Sequence, residues 1–100
     1  MATTSKVLFR GSAATSSTTL YTVPSATTTV VTNISVANTA ATSATFTILL
    51  DDVELQKDST VAANTTAYID LKQVLVATDT IKGLASATTV DFHISGVEIA

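Results

Sequence analysis

The chain has 100 residues, a formal net charge of −3 from five basic and eight acidic residues, and no cysteine. This length is typical of one domain, and the missing cysteines exclude disulfides and thiolate metal sites. The few basic residues argue against nucleic-acid binding, because phosphates are neutralised by clustered Lys and Arg. No apolar run approaches the roughly 18 residues that cross a membrane, so we expect neither nucleic acid nor membrane as a partner.

Only 13% of the residues are charged, whereas 46% are hydrophobic. Disordered chains combine low hydrophobicity with high net charge, so this composition predicts a folded domain with a surface of hydroxyl, Asn and Ala side chains. The beginning of the chain has no apolar segment typical of a secretory signal. With the lack of cysteine, this favours synthesis in a reducing cytoplasm.

The first 17 residues differ from the rest of the chain. Lys6, Val7, Leu8, Phe9 and Arg10 form a short apolar segment with basic ends, and residues 11–17 are small and polar, as in a flexible connector. We predict that residues 1–17 are an edge strand or an arm, with Lys6 to Arg10 reaching a neighbouring subunit. Residues 18–100 then form the main domain.

The main domain has the period of β-strands. Apolar and polar residues alternate within Val30–Ala37, Ala44–Leu50 and Val90–Ser95, which indicates strands with one face in a core. We interpret Tyr68–Val76 as two short strands joined at Lys72 and Gln73, and we expect a bulge at Gly96.

Turn signals separate the strands about every ten residues. They are Pro24, residues 37–43, Asp51–Asp52, residues 56–60, residues 62–66, Thr78–Asp79 and residues 86–89. The sequence therefore predicts an all-β protein, an antiparallel β-sandwich of about eight short strands with an N-terminal arm. Alternation assigns faces but not connectivity, so a jelly-roll and an Ig-like strand order both remain open.

One acidic group and one histidine are the candidate reactive residues. Asp51, Asp52 and Glu54, with Asp58 nearby, could offer oxygen ligands to calcium, but Asp is also common in tight turns, and the turn is the favoured interpretation. His93 lies on the face opposite the core and has no partner at metal-ligand spacing. We expect no catalytic residue, no metal site, no cofactor and no enzyme activity.

The aromatic residues are few. Phe46 and Phe92 are predicted to lie in the core, and Tyr21 and Tyr68 at its edge with solvated hydroxyls. The charge-poor, threonine-rich surface leaves few lysines to protect sheet edges, which favours a homo-oligomer.

Several motifs follow one another in order: "LYTVP" from Leu20 to Pro24, "NT" at Asn38–Thr39, "DTI" from Asp79, and "ISGVE" from Ile94. Over about residues 6–99 the chain resembles a family of small β-sandwich virion structural proteins of tailed bacteriophages. The "SATTT" after Pro24 departs from similar sequences, which often have a glycine there.

The resemblance implies a non-enzymatic structural role in the virion. It favours a capsid decoration, or cement, protein on the outer capsid surface, bound to the major capsid protein and to itself, often as a homotrimer. A tail, collar or fibre-associated subunit is the alternative, and a host-glycan-binding module is a less favoured one.

Overall fold

The computed structural model describes residues 2–100, which contain eight strands and no helix. The strands are β1 (Thr3–Ser12), β2 (Thr18–Thr22), β3 (Thr28–Asn38), β4 (Ala44–Leu50), β5 (Val53–Val61), β6 (Thr66–Leu75), β7 (Thr80–Ala85) and β8 (Val90–Ile99). They form two four-stranded sheets, the first in the order β1-β8-β3-β6 and the second in the order β2-β7-β4-β5. All strand pairs are antiparallel. The predicted all-β sandwich is confirmed.

The strand order is that of a jelly roll. The first half of the chain pairs with the second half as one long antiparallel ribbon, β1 with β8, β2 with β7, β3 with β6 and β4 with β5. Rolling this ribbon brings β3 beside β8 and β4 beside β7, which completes both sheets. Each connection except the β4–β5 hairpin therefore crosses from one sheet to the other. Of the two strand orders that the sequence left open, this is the jelly-roll order and not the Ig-like one.

The ribbon turns back at Asp51 and Asp52, with Leu50 paired to Val53. Both aspartates have positive φ, 52° and 62°, as a two-residue type I′ hairpin requires. Asp tolerates this left-handed conformation better than most residues. The predicted turn at this position is confirmed.

The core lies between the inner faces of the two sheets. In β4 the alternate residues Ala44, Phe46, Ile48 and Leu50 are buried, as the pattern predicted. The rings of Phe46 and Phe92 meet edge to face with centroids 6.3 Å apart, a favourable aromatic geometry. The largest fully buried side chains are Phe92, Ile34, Ile48, Ile81, Ile94, Val23, Val31, Val36, Val61, Val90 and Thr29.

The middle of the first sheet contains β-bulges. Residue Thr32 of β3 is an extra residue relative to β8, and Leu8 of β1 is another. Val31 and Ile34 both point inward because the bulge at Thr32 reverses the alternation of β3. The prediction of one uninterrupted face for Val30, Thr32 and Ile34 was therefore wrong.

Gly96 lies in β8 between these two bulged strands. The bulges are on β1 and β3 rather than on β8 itself, so the predicted position was wrong by one strand. A Cβ at Gly96 would collide with the carbonyl oxygen of Val30 and touch the side chain of Leu8. Only glycine permits this close approach of the β3 backbone.

Two predicted turns are absent. Residues 56–60 continue within β5, although Asp58 adopts a positive φ of 47° and the pairing to β4 shifts nearby. Thr66–Leu75 is one continuous strand, so the predicted break at Lys72 and Gln73 was wrong. Pairing with β4 holds residues 56–60 extended, and pairing with β3 holds β6 extended, where local sequence alone favoured a turn.

The loops at one end of the sandwich are held by a buried asparagine. The Asn38 side-chain amide donates to the carbonyl oxygen of Thr42 at 2.8 Å and to those of Val61 and Ala62 at longer range. Its carbonyl oxygen accepts from the backbone N–H of Ala40 at 3.1 Å. One side chain thus ties the β3–β4 loop to the end of β5.

Candidate interaction surface

The segment Lys6 to Arg10 lies inside β1 and pairs with β8 of the same chain. Leu8 is buried, and Phe9 is packed against the core, whereas Val7 is 47% exposed on the outer face. Gly11 and Ser12 complete the strand and Ala13 is buried, so this part of the predicted flexible connector is ordered. The apolar residues of this segment thus already have partners within their own chain. Contact of Lys6 to Arg10 with a neighbouring subunit stays a prediction.

A polar network joins the two sheets at the end of the sandwich near β1. The Tyr21 hydroxyl, from β2, donates to the Glu98 carboxylate of β8 and accepts from the buried Thr29 hydroxyl at 2.8 Å. The Lys6 ammonium lies 3.3 Å from the same carboxylate. This network was not predicted, because Tyr21 and Glu98 lie 77 residues apart in the sequence and meet only when the two sheets pack together.

The network shifts the acidity of its members. The hydroxyl of Tyr21, and then the ammonium of Lys6, hold the pKa of Glu98 below its usual range. Burial, and then the neighbouring Glu98 carboxylate, raise the pKa of Tyr21. Both pKa shifts favour the protonation states found at neutral pH, a charged Glu98 and a neutral Tyr21. The network therefore stabilises the contact between the sheets and does not hold a group ready for proton transfer.

The acidic group at the hairpin is used in ion pairs. Asp52 lies 2.6 Å from the Lys82 ammonium, and Glu54 lies 3.2 Å from that of Lys57. Across residues 2–100, no three His, Cys, Asp or Glu side chains are arranged to hold a metal ion. Among the carboxylates that the sequence offered to calcium, Asp52 and Glu54 are thus paired with lysines of the same chain.

His93 projects from the outer face of the first sheet, as predicted. It is exposed and lies opposite Ser35 of β3 and Arg10 of β1. Within residues 2–100 its ring makes no hydrogen bond to a hydroxyl or carboxylate, so the described part of the chain contains no Ser–His–Asp arrangement around it.

The depressions of the surface are shallow and open. Two of them meet at Thr32, one of about 390 Å³ over β1 and β8 and one of about 580 Å³ beside β6. Small and polar side chains line most of both. Such surfaces are unlike the enclosed, largely apolar clefts that bind small ligands.

Large apolar side chains are exposed mainly along β5 and β6. Tyr68 is 73% exposed, Val53 69%, Val74 62% and Val76 57%. Tyr68 therefore does not lie at the core edge, and that prediction was wrong. Tyr21 is buried, and its hydroxyl is hydrogen-bonded to Thr29 and Glu98 rather than solvated. Exposed apolar side chains on the edge strands of a small domain are available for a protein-protein contact.

No protein-family model and no curated protein sequence matches this chain. The described residues contain no helix long and apolar enough to cross a membrane. The functional argument therefore depends on the surface itself.

Proposed function

We propose that this chain is a non-enzymatic structural protein of a tailed-bacteriophage particle, and specifically a capsid decoration protein that binds the outer shell as a homo-oligomer. The observation that carries the proposal is a jelly roll with open sheet edges and exposed apolar side chains on a charge-poor surface. The motif resemblance described above supports the same role. Fold alone assigns no function, because jelly rolls serve many.

The interior and the surface support a binding role rather than a chemical one. The space between the sheets is filled by apolar side chains such as Phe92, Ile48 and Ile81. The surface offers flat sheet faces and strand edges, which suit contact with other β-structure through cross-strand pairs. Stabilisation of a shell would then be passive, since many weak contacts held in one lattice add through avidity.

The first experiment measures binding to purified empty shells. A decoration protein is expected to co-sediment with the shells at a saturating ratio and to raise the temperature at which they break. A tail, collar or fibre-associated subunit would instead be absent from tailless heads and would leave shell stability unchanged. Binding of the free protein to host glycans, without binding to shells, would favour the third function.

Point substitutions test whether the Lys6–Arg10 segment contacts a neighbour. Deleting β1 is unsuitable, because Leu8 belongs to the core and β8 would lose its partner. Val7→Glu changes only an exposed side chain of β1, and Thr60→Glu is a control at an exposed polar position of β5. If the segment contacts the shell, only Val7→Glu weakens shell binding while both variants melt like the parent. Equal binding by both variants and the parent would contradict the role of this segment.

A further inference from the structure

The sandwich has four edge strands, β1, β2, β5 and β6. An unpaired strand edge invites pairing with another chain unless it is short, charged or irregular. β2 has only five residues, β1 carries Lys6 and Arg10 beside a bulge, and β5 carries Glu54, Lys57 and an irregular Asp58. β6 is ten residues long and has no residue of positive φ, but it carries Asp70 and Lys72, and its register against β3 shifts between Asp70 and Gln73. The two charges have opposite signs, so they can pair with those of a second copy.

The side chains of β6 differ in exposure between the two faces of the sheet. On the outer side Thr66, Tyr68, Asp70, Lys72 and Val74 are all exposed. On the inner side Ala67, Ile69 and Leu71 are half-buried, Gln73 is exposed and Leu75 is buried. Within residues 2–100 the edge of β6 that faces away from β3 has no partner strand, so its backbone N–H and C=O groups are open to pairing.

The outer row of β6 is complementary to itself. If two copies pair antiparallel about a two-fold axis at Leu71, Asp70 lies opposite Lys72 of the second copy. Tyr68 then lies opposite Val74, and Thr66 lies opposite Val76. Each pair occurs twice by symmetry, and opposite charges and aromatic–β-branched pairs are favourable cross-strand neighbours.

The charges at the centre of this row are available for a partner. Within residues 2–100, neither Asp70 nor Lys72 forms an ion pair. Asp70 accepts only a long hydrogen bond, 3.5 Å from the side-chain amide of Asn33. The apolar side chains on either side, Tyr68 and Val74, are among the most exposed of the domain.

We propose that the chain forms a two-fold dimer through antiparallel pairing of β6 with β6 of a second copy, centred on Leu71. The first sheets of the two copies then become one continuous eight-stranded sheet. The contact would also cover the open groove between Gln73 and Val53 on the inner side of β6. A two-fold contact differs from the three-fold arrangement that the resemblance implies, and it does not depend on where the protein sits on a particle.

A charge exchange tests the pairing in solution without shells, by light scattering and sedimentation equilibrium. The parent chain is expected to reach twice its mass of 10.3 kDa. Lys72→Asp places Asp opposite Asp70 twice and should weaken the dimer by more than about tenfold. Adding Asp70→Lys to it exchanges the two charges and should restore dimerisation, and Lys57→Asp on β5 is a control that should leave it unchanged.

Disulfide formation tests the position of the axis independently, since the chain has no cysteine of its own. Leu71→Cys places two thiols directly opposite each other across the axis, so mild oxidation should yield a covalent dimer. The exposed Thr60→Cys on β5 should stay monomeric under the same conditions. If Lys72→Asp fails to fold, this cross-linking test still shows whether two copies pair at Leu71.

Three results would overturn the proposal. They are a parent mass that stays at 10.3 kDa or reaches three times that value, a charge exchange that does not restore the dimer, and equal cross-linking of the two cysteine variants. A dimer that does not bind shells would support this contact and contradict the proposed decoration role. A monomer that binds shells would contradict this contact and support the decoration role.

Discussion

The close approach of β3 to β8 at Gly96 gives the sharpest stability prediction. In Gly96→Ala the new Cβ would lie nearer to the carbonyl oxygen of Val30 than the 3.0 Å that real Cβ atoms keep. The Val30 carbonyl belongs to the backbone of β3, a central strand of the sheet. Rotation of a side chain therefore cannot relieve the contact. Overpacking of this kind costs about 1–3 kcal/mol.

A smaller opposing effect reduces the net loss. Gly96 does not have a positive φ, so alanine is compatible with its conformation and lowers the entropy of the unfolded chain, which stabilises by roughly 0.4–1 kcal/mol. We expect a net loss of about 1–2 kcal/mol in the free energy of unfolding. For a domain of this size that corresponds to a melting temperature lower by roughly 4–16 °C.

Urea unfolding and thermal melting followed by circular dichroism measure this loss. Gly83→Ala and Gly11→Ala are graded controls. A Cβ at Gly83 would meet only side-chain atoms of Leu20, Phe92 and Ile48 at 3.0–3.2 Å, and one at Gly11 only the Phe9 ring at 3.3 Å. The expected order of destabilisation is Gly96, then Gly83, then Gly11. A Gly96→Ala protein as stable as the parent, or a larger loss at Gly83, would refute the reasoning.

Three further predictions concern the polar network and the core. Because the folded pKa of Glu98 is lowered, its contribution is fully present above the ordinary Glu pKa of about 4.3 and is lost as pH falls through the lower folded value. Glu98→Gln should therefore flatten the stability profile in that acidic window, measured by urea unfolding at several pH values. Asn38→Ala should cost about 1–3 kcal/mol, since several buried backbone groups lose their partner, and hydrogen exchange should rise in the β3–β4 loop. Phe92→Ala should cost about 3–5 kcal/mol through a core cavity, measured by thermal melting.

Each of these predictions has a specific control. Tyr21→Phe removes the main cause of the lowered Glu98 pKa and should flatten the same acidic window. An unchanged profile in both variants would contradict the assigned hydrogen bonds. Asn38→Ala without loss of stability would show that water replaces the amide, and the half-buried Leu71→Ala should cost less than Phe92→Ala.

In the second sheet β4 could be predicted from the sequence because apolar residues recur at every second position, whereas the irregular β5 was interrupted by a predicted turn at residues 56–60. In β4 each inward residue from Ala44 to Leu50 was assigned correctly, and the hairpin at Asp51 and Asp52 follows from residues that accept a positive φ. In β3 the same method failed past Val31, since the bulge at Thr32 reverses the faces. A bulge is stabilised by the neighbouring strands, so it leaves no clear local signal.

The sequence by itself determined the class of the fold and the chemistry of the surface. β-Branched residues at period two specify strands with one buried face, and the shortage of charge leaves a surface of hydroxyl and apolar groups. Tertiary structure decided the jelly-roll order, the burial of Leu8 and Phe9 within the chain's own sheet, and the meeting of Tyr21 with Glu98. It also decided that β6, with exposed Tyr68 and Val74, lies at a free edge of the first sheet. These features depend on which strands become neighbours, and alternation along one strand carries no information about that.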